Sequence, residues 1–208
     1  CALPIYVIRA FDVLPHSLYI QKLAKYVADD NTVSLNKDYL RDRNQSVKLA
    51  GTFTPWLPVN RGFPKGSILG PLLFNIFMND LPRVINFTIL STYADDTQIS
   101  YAGDNVTDVE QAINSDLSKI DKWYEENEMR RNHDKYKAMI MGKTSRDPAF
   151  KYGTSIPPVE EVDLLGVTVD NKLKFESQIK KICRKGSQQI AVFKRMKKLL
   201  SLKLREKL

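Results

Sequence analysis

Residues 89–101 read Ile89-Leu90-Ser91-Thr92-Tyr93-Ala94-Asp95-Asp96-Thr97-Gln98-Ile99-Ser100-Tyr101. Two apolar, β-prone runs flank a short acidic turn, and the alternation on both sides predicts a β-hairpin with Asp95 and Asp96 at its tip. Adjacent carboxylates repel each other unless a cation sits between them and a partner. A divalent ion is the usual solution, and hard oxygen ligands suit Mg²⁺ or Mn²⁺. An ordinary acidic surface turn has the same composition. On this stretch alone both readings stay open.

Working outward from the hairpin, strands and helices alternate along the chain. Ile5 to Ala10 reads as a short buried strand. Pro15 opens a helical pattern with Leu18, Leu23 and Tyr26 on its apolar face, and Leu35 to Leu40 reads as a second short helix. Gln45 to Leu49 and Thr52 to Val59 read as strands around Gly51, the second limited by Pro55 and Pro58. Gly62 to Pro71 is a punctuated loop, and Leu72 to Met78 a buried helix. After the hairpin, Thr107-Asp108-Val109-Glu110 fits a capping box. The helix it opens carries Val109, Ile113, Leu117, Ile120 and Tyr124 on one face and stops near Asn127. Lys137 to Met141 reads as a strand, Ser145 to Pro158 as loop, and Val162 to Val169 as strand interrupted by Gly166. From about Glu176 the chain is helical, with Ile179, Ile182, Ile190, Phe193 and Leu200 as a core face and a bend at Gly186. The pattern is α/β (α+β) with a mixed or antiparallel sheet.

Composition narrows the function classes. The chain has 208 residues, 43% hydrophobic and 27% charged, an ordinary globular balance. Two distant cysteines, Cys1 and Cys183, make neither a disulfide framework nor a zinc pattern. They fit a reducing, intracellular compartment, cytoplasm or nucleus. The longest apolar stretch, Ile68 to Met78, is too short and interrupted for a membrane span, and no signal peptide is visible. Because residue 1 is Cys, the chain is expected to begin inside a longer reading frame. From Lys172 to Leu208 there are 13 Lys and Arg against Glu176 and Glu206, a net +11, while the other 171 residues hold 19 basic and 22 acidic groups, a net −3. A basic tail on a mildly acidic body points to a polyanion such as nucleic acid, or to a solvated helix face.

Several segments together resemble a known family. Arg61-Gly62-Phe63-Pro64-Lys65-Gly66-Ser67-Ile68-Leu69-Gly70-Pro71 resembles the glycine-rich motif B of reverse transcriptases, standing upstream of the Tyr-Ala-Asp-Asp of motif C as in that family. Ala10-Phe11-Asp12 with Pro15-His16 resembles the end of motif A in non-LTR (LINE-type) retrotransposon polymerases. Trp123, Asn127 and Asn132-His133-Asp134-Lys135 resemble motif D, Leu164-Leu165-Gly166-Val167 motif E, and the basic C-terminal helix the start of a thumb.

The resemblance implies a right-hand polymerase palm with an antiparallel sheet, partial fingers and the start of a helical thumb. It divides the chain into 1–142 (palm with partial fingers), 143–171 (motif E and palm–thumb connection) and 172–208 (basic thumb segment). It implies RNA-directed DNA polymerisation by two-metal transfer onto a primer 3′-hydroxyl, with deoxynucleoside triphosphates, an RNA template and a DNA primer as partners. Asp95 and Asp96 would hold Mg²⁺, or Mn²⁺, and Lys135 would give a proton to the departing pyrophosphate. Phe11, Gly66 and Ser67 would meet the nucleotide. Tyr93, Gly166, Lys180, Lys181 and Arg184 would meet primer and template. His16 and His133 have no partner at catalytic or metal spacing and read as structural or exposed. No membrane is implied, and the oligomeric state is left open.

Three departures bear on activity. The family's motif A carboxylate lies five residues before the aromatic gate at Phe11, where this chain has Tyr6. A phenol with a pKa near 10 is a poor substitute for a carboxylate shared by two ions, and Asp12 is displaced by about 20 Å of strand. Lys65 stands where the family has Gln. The fingers that precede motif A are absent from the chain. The expectation is a polymerase by descent with impaired chemistry, or else a non-catalytic nucleic-acid-binding remnant.

Overall fold

The computed structural model describes residues 2–6, 10–26, 29–64, 66–130, 132, 136–142, 144, 146–152 and 154–196, with the backbone only at 2–6, 10, 11, 152 and 154. It divides into two compact units, residues 1–138 with 144–158, and 139–143 with 159–208.

The first unit is built on a three-stranded antiparallel sheet of order β1-β7-β6, where β1 is Ala2–Tyr6, β6 is Ile89–Tyr93 and β7 is Asp96–Ser100. β6 and β7 form the expected hairpin. The first strand begins earlier than the apolar run suggests, because its register is set by pairing with β7, and positions 7–9 of that run lie outside the described residues. Tyr6 stands opposite Asp96, Leu3 opposite Ile99, and Tyr93 and Leu90 oppose the same two residues from β6. Beyond it, Ala10–Val13 is a short helix, α1, rather than strand.

β7 is the middle strand and shows how the sheet is seated. Thr97 and Ile99 are fully covered. The period-2 alternation of a strand therefore sends Asp96, Gln98 and Ser100 to the other, open face. The covered face meets α5, Val106–Glu126, whose Tyr124 hydroxyl donates to Thr97 Oγ1 at 3.4 Å. Ile113, Leu117, Ile120, Trp123 and Tyr124 bury the stripe that the helical period predicts. They pack with Tyr19 and Leu23 of α2 (His16–Tyr26) and with Leu73, Phe74 and Phe77 of α4 (Gly70–Met78) into one core. Each such side chain contributes about 1.5–3 kcal/mol over leaving it in water.

Two caps differ from the sequence pattern. Asn105, not Thr107, caps α5, its side-chain oxygen accepting from Asp108 N at 2.8 Å. Glu110 does not fold back on the cap but pairs with Arg146 and accepts from Ala149 N, which lowers its pKa to about 2. The helix at 35–40 begins earlier, as α3, Asp30–Leu40, because Asp29 accepts from Asn31 N and Thr32 N. Between α3 and α4 lies an antiparallel arm. β2 (Asn44–Gln45) pairs with β5 (Leu57–Pro58), and β3 (Lys48–Leu49) with β4 (Thr52–Phe53), around a turn at Ala50-Gly51.

Five C-terminal expectations need correction. Lys137 to Met141 is not a strand but isolated bridges at Ala138 and Met139, Ala138 pairing with Pro158. The segment expected as loop contains a hairpin of β8 (Phe150–Tyr152) and β9 (Thr154–Ile156), held on α5 because Asn114 donates to Ala149 O and accepts from Lys151 N. In the second unit, β10 (Glu161–Leu164) and β11 (Val167–Asp170) turn at Leu165 and Gly166, both left-handed, so Gly166 ends one strand rather than interrupting it. α6, Glu176–Met196, passes through Gly186 unbroken. None of its residues is buried: Ile179, Ile182, Ile190 and Phe193 are all more than half exposed, so they are not a core face among the described residues. Leu200 lies outside the described residues. No described helix is long and apolar enough to cross a membrane.

Candidate functional site

Asp95 and Asp96 sit at the end of the β6–β7 hairpin. Tyr93 and Asp96 close the ladder, leaving Ala94 and Asp95 as a two-residue loop. Ala94 has φ of +51°, the only left-handed residue of the pair, which is the pattern of a type II′ hairpin turn. Alanine there is strained, because its Cβ crowds the backbone. Asp95 is half-buried and Asp96 exposed. Tyr93 is 68% exposed, so it is not a core aromatic.

Directly opposed positions of an antiparallel ladder share a face. The pairing of residue 6 with Asp96 therefore puts position 6 beside the acidic turn, and that position holds Tyr. The donor set does not fit a two-ion centre. Two carboxylates remain, and among the described residues no group of three His, Cys, Asp or Glu side chains is gathered to hold a metal. Asp12 is on α1 and is not part of such a group.

The hairpin is anchored from below by a residue that the motifs do not include. Asp116 of α5 is fully buried. Its Oδ2 accepts from Phe87 N at 2.8 Å, Thr88 N at 2.8 Å and Thr88 Oγ1 at 2.9 Å, and its Oδ1 from Asn86 N at 3.1 Å. Residues 86–88 lead directly into β6. Burial alone would raise the Asp116 pKa, but these bonds outweigh it and hold the carboxyl below its ordinary value. The signal was visible as an acid on the apolar stripe, between Ile113 and Leu117. A second such signal is Lys22, buried on the stripe of α2. It donates to Phe77 O at 3.0 Å and Asp80 Oδ1 at 2.7 Å and lies 4.5 Å over the rings of Phe77 and Trp123. Burial pushes its pKa down against the pull of Asp80.

The glycine-rich loop meets α1 and α2. Gly62 has φ of +81°, and a Cβ there would lie 2.8 Å from Asp12 Cα, so only glycine fits. Gly66 is also left-handed, at +77°, but open on all sides. Ser67 Oγ accepts from Gly70 N at 2.9 Å and so helps start α4. The side chain of Phe11, and Lys65, His133 and Lys135 entirely, lie outside the described residues. Gly166, Lys180, Lys181 and Arg184 belong to the second unit. There Lys181 pairs with Asp163 at 3.1 Å, while Lys180 and Arg184 are exposed on α6.

A family model described as reverse transcriptase (RNA-dependent DNA polymerase) matches residues 3–169. The RNA-directed DNA polymerase from mobile element jockey of Drosophila melanogaster is 27% identical over 183 residues, covering 84% of this chain and 20% of that protein. Its namesake from Drosophila funebris is 27% identical over 180 residues, covering 82% and 20%. The chain thus spans about a fifth of the length of these curated relatives. Among solved structures, telomerase from Candida albicans in complex with a fragment of telomeric RNA superposes with a TM-score of 0.55 at 14% identity, over 81% of this chain and 30% of that one. At that identity the likeness concerns the fold: a mixed helix and antiparallel-sheet palm.

Proposed function

This chain belongs to the reverse transcriptase (RNA-dependent DNA polymerase) family, as a non-LTR, LINE-type domain, and on that premise we propose that it is a polymerase palm whose nucleotidyl-transfer chemistry is disabled at position 6. The observation that carries the reading is the register of β1 on β7. Residue 6 is the ladder partner of Asp96, and it is Tyr. A phenol that stays protonated at neutral pH cannot take the place of a shared carboxylate. Asp95 and Asp96 are left as the place where a single Mg²⁺ or Mn²⁺ would be held by oxygen ligands.

In this reading residues 1–142 supply the palm and part of the fingers, 143–171 the connection, and 172–208 a thumb segment. The partners are an RNA template, a DNA primer and deoxynucleoside triphosphates. Phe11, Gly66 and Ser67 lie toward the nucleotide, Tyr93 toward the primer end, and Lys135 toward the leaving pyrophosphate. Gly166, Lys180, Lys181 and Arg184 lie toward the nucleic-acid backbone. The exposure of Tyr93, Lys180 and Arg184 is consistent with those roles. A second reading, a nucleic-acid-binding remnant without catalysis, draws on the same Tyr6 and on the basic α6, none of whose described residues is buried.

Mn²⁺ titration followed by electron paramagnetic resonance tests the site. The chain should bind one ion weakly, Asp95→Asn should abolish that binding, and Tyr6→Asp should tighten it and add a second ion. Two ions bound tightly by the unaltered chain would refute the reading.

A further inference from the structure

His16 is fastened to the glycine-rich loop by contacts that its position in the sequence does not announce. Its Nε2 lies 2.6 Å from Gly62 O. A carbonyl only accepts, so Nε2 carries the proton and donates. The imidazole also lies parallel to the Phe63 ring, 3° from coplanar with centroids 6.4 Å apart. Around it the two backbones are laced together. Gly62 N donates to Leu14 O at 2.8 Å, His16 N donates to Asn60 O at 3.3 Å, and Pro15 bridges Arg61. Phe63 in turn stands edge-on to Tyr19 at 5.2 Å, tying the loop to the core face of α2.

The loop held in this way forms one wall of a cavity of about 540 Å³. Arg43, Asn44, Gln45 and Arg61 bring guanidinium and amide groups to its lining, with Gly62 between them and Asp12. Backbone lacing alone sets where the loop begins. Burial of Phe63 against Tyr19 fixes the far side of the peptide between Gly62 and Phe63, and that peptide orients the cavity wall. The side chain of His16 holds the Gly62 carbonyl from behind.

We propose that His16 is a positioning residue for nucleic-acid binding. By donating to Gly62 O it holds the Asn60–Pro64 loop in the arrangement that sets the loop backbone and Arg61 on the cavity, where a phosphate-bearing ligand would take the guanidinium over from its present partners, Glu128 and, at 3.4 Å, Val13 O. The proposal rests on the nucleic-acid reading above. His16 touches no ligand itself and acts through Gly62. Glutamine at 16 keeps an N–H that reaches the same carbonyl, whereas leucine fills the space and donates nothing.

The test uses the full chain, a fluorescein-labelled RNA–DNA duplex and hydrogen–deuterium exchange of the peptide spanning 58–64. His16→Leu should weaken duplex binding by roughly threefold to tenfold, the worth of one hydrogen bond, and speed exchange at 58–64. His16→Gln should restore both. If His16→Leu does not fold, His16→Asn, whose shorter amide stops short of Gly62, takes its place. Leucine and natural chains that exchange and bind alike would overturn the proposal. So would a Gln variant as defective as Leu, because packing and not the hydrogen bond would then hold the loop. Absence of duplex binding by the natural chain would overturn the nucleic-acid reading and the ligand half of this one, and exchange alone would still decide whether His16 fastens the loop.

Discussion

Replacing Asp116 by Asn should destabilise the protein and loosen the acidic hairpin, although residue 116 is on neither strand. The asparagine oxygen can keep the Oδ2 place and its three donors, Phe87 N, Thr88 N and Thr88 Oγ1. Its amide nitrogen then faces Asn86 N–H, donor against donor, where Oδ1 had accepted at 3.1 Å. Two bonds to Oδ1 are lost, from Asn86 N and, at 3.5 Å, from Lys119 Nζ, three others lose their charge assistance, and the relief of burying a neutral group offsets part of this. The net cost is about 2–3 kcal/mol, or roughly 5–10 °C in Tm for a chain of this size. Asp116→Ala, which abandons all five donors, Lys119 Nζ included, should cost about 3–5 kcal/mol. Acid dependence gives an independent check. Because the folded pKa lies below the 3.8 of the unfolded chain, the stabilisation is fully present above that value. It is lost as pH falls from there through the folded pKa. Urea unfolding at neutral pH and at steps below pH 4 reads both effects, and exchange at Ile89–Tyr93 reads the hairpin. An Asn variant within about 0.5 kcal/mol of the natural chain, with the same acid profile, would refute the anchoring role.

Two further outcomes follow from the same geometry. Burial raises the hydroxyls of Tyr19 and Tyr124 to about 12 from 10.0. Their contribution to stability is whole below pH 10 and is lost as pH rises toward 12, so tyrosinate absorbance should appear together with unfolding rather than before it. Ala94→Gly removes the strain of φ +51° and should raise stability by roughly 0.5–1 kcal/mol without shifting the Tyr93–Asp96 register, as seen in thermal melts and strand-contact NMR. A loss of stability there would mean that the turn does not take this form.

The hairpin and the helix at 106–126 were legible because each is a strong period with its own stop signals: alternation around Ala94-Asp95 in the first, and the Ile113, Leu117, Ile120, Tyr124 stripe in the second. Motif spacing likewise carried the family, since the residues at 61–71 and 93–96 have the order and separation that a palm requires. What stayed hidden depends on partners distant in sequence. Glu110 looked like half of a capping box, but Arg146, 36 residues on, outcompetes the local backbone for it. The β8–β9 hairpin is only three residues a side, with polar Lys151 and Ser155 at its middle, and is fixed by Asn114, which no local pattern reveals. The apolar residues of α6 had helical spacing and looked like core, yet spacing shows that a face exists and not that anything covers it. His16 showed no neighbour of catalytic type at sequence spacing, because its partner is a backbone carbonyl 46 residues away.

Primer extension puts the central claim to its most direct test. A labelled DNA primer annealed to an RNA template is incubated with deoxynucleoside triphosphates and Mg²⁺ or Mn²⁺, in the presence of the natural chain or of Asp95→Asn. On the proposal that position 6, held by Tyr and paired to Asp96, requires a carboxylate, the natural chain should yield no more product than Asp95→Asn, in either metal. Template-length product from the natural chain that disappears in Asp95→Asn would contradict the account.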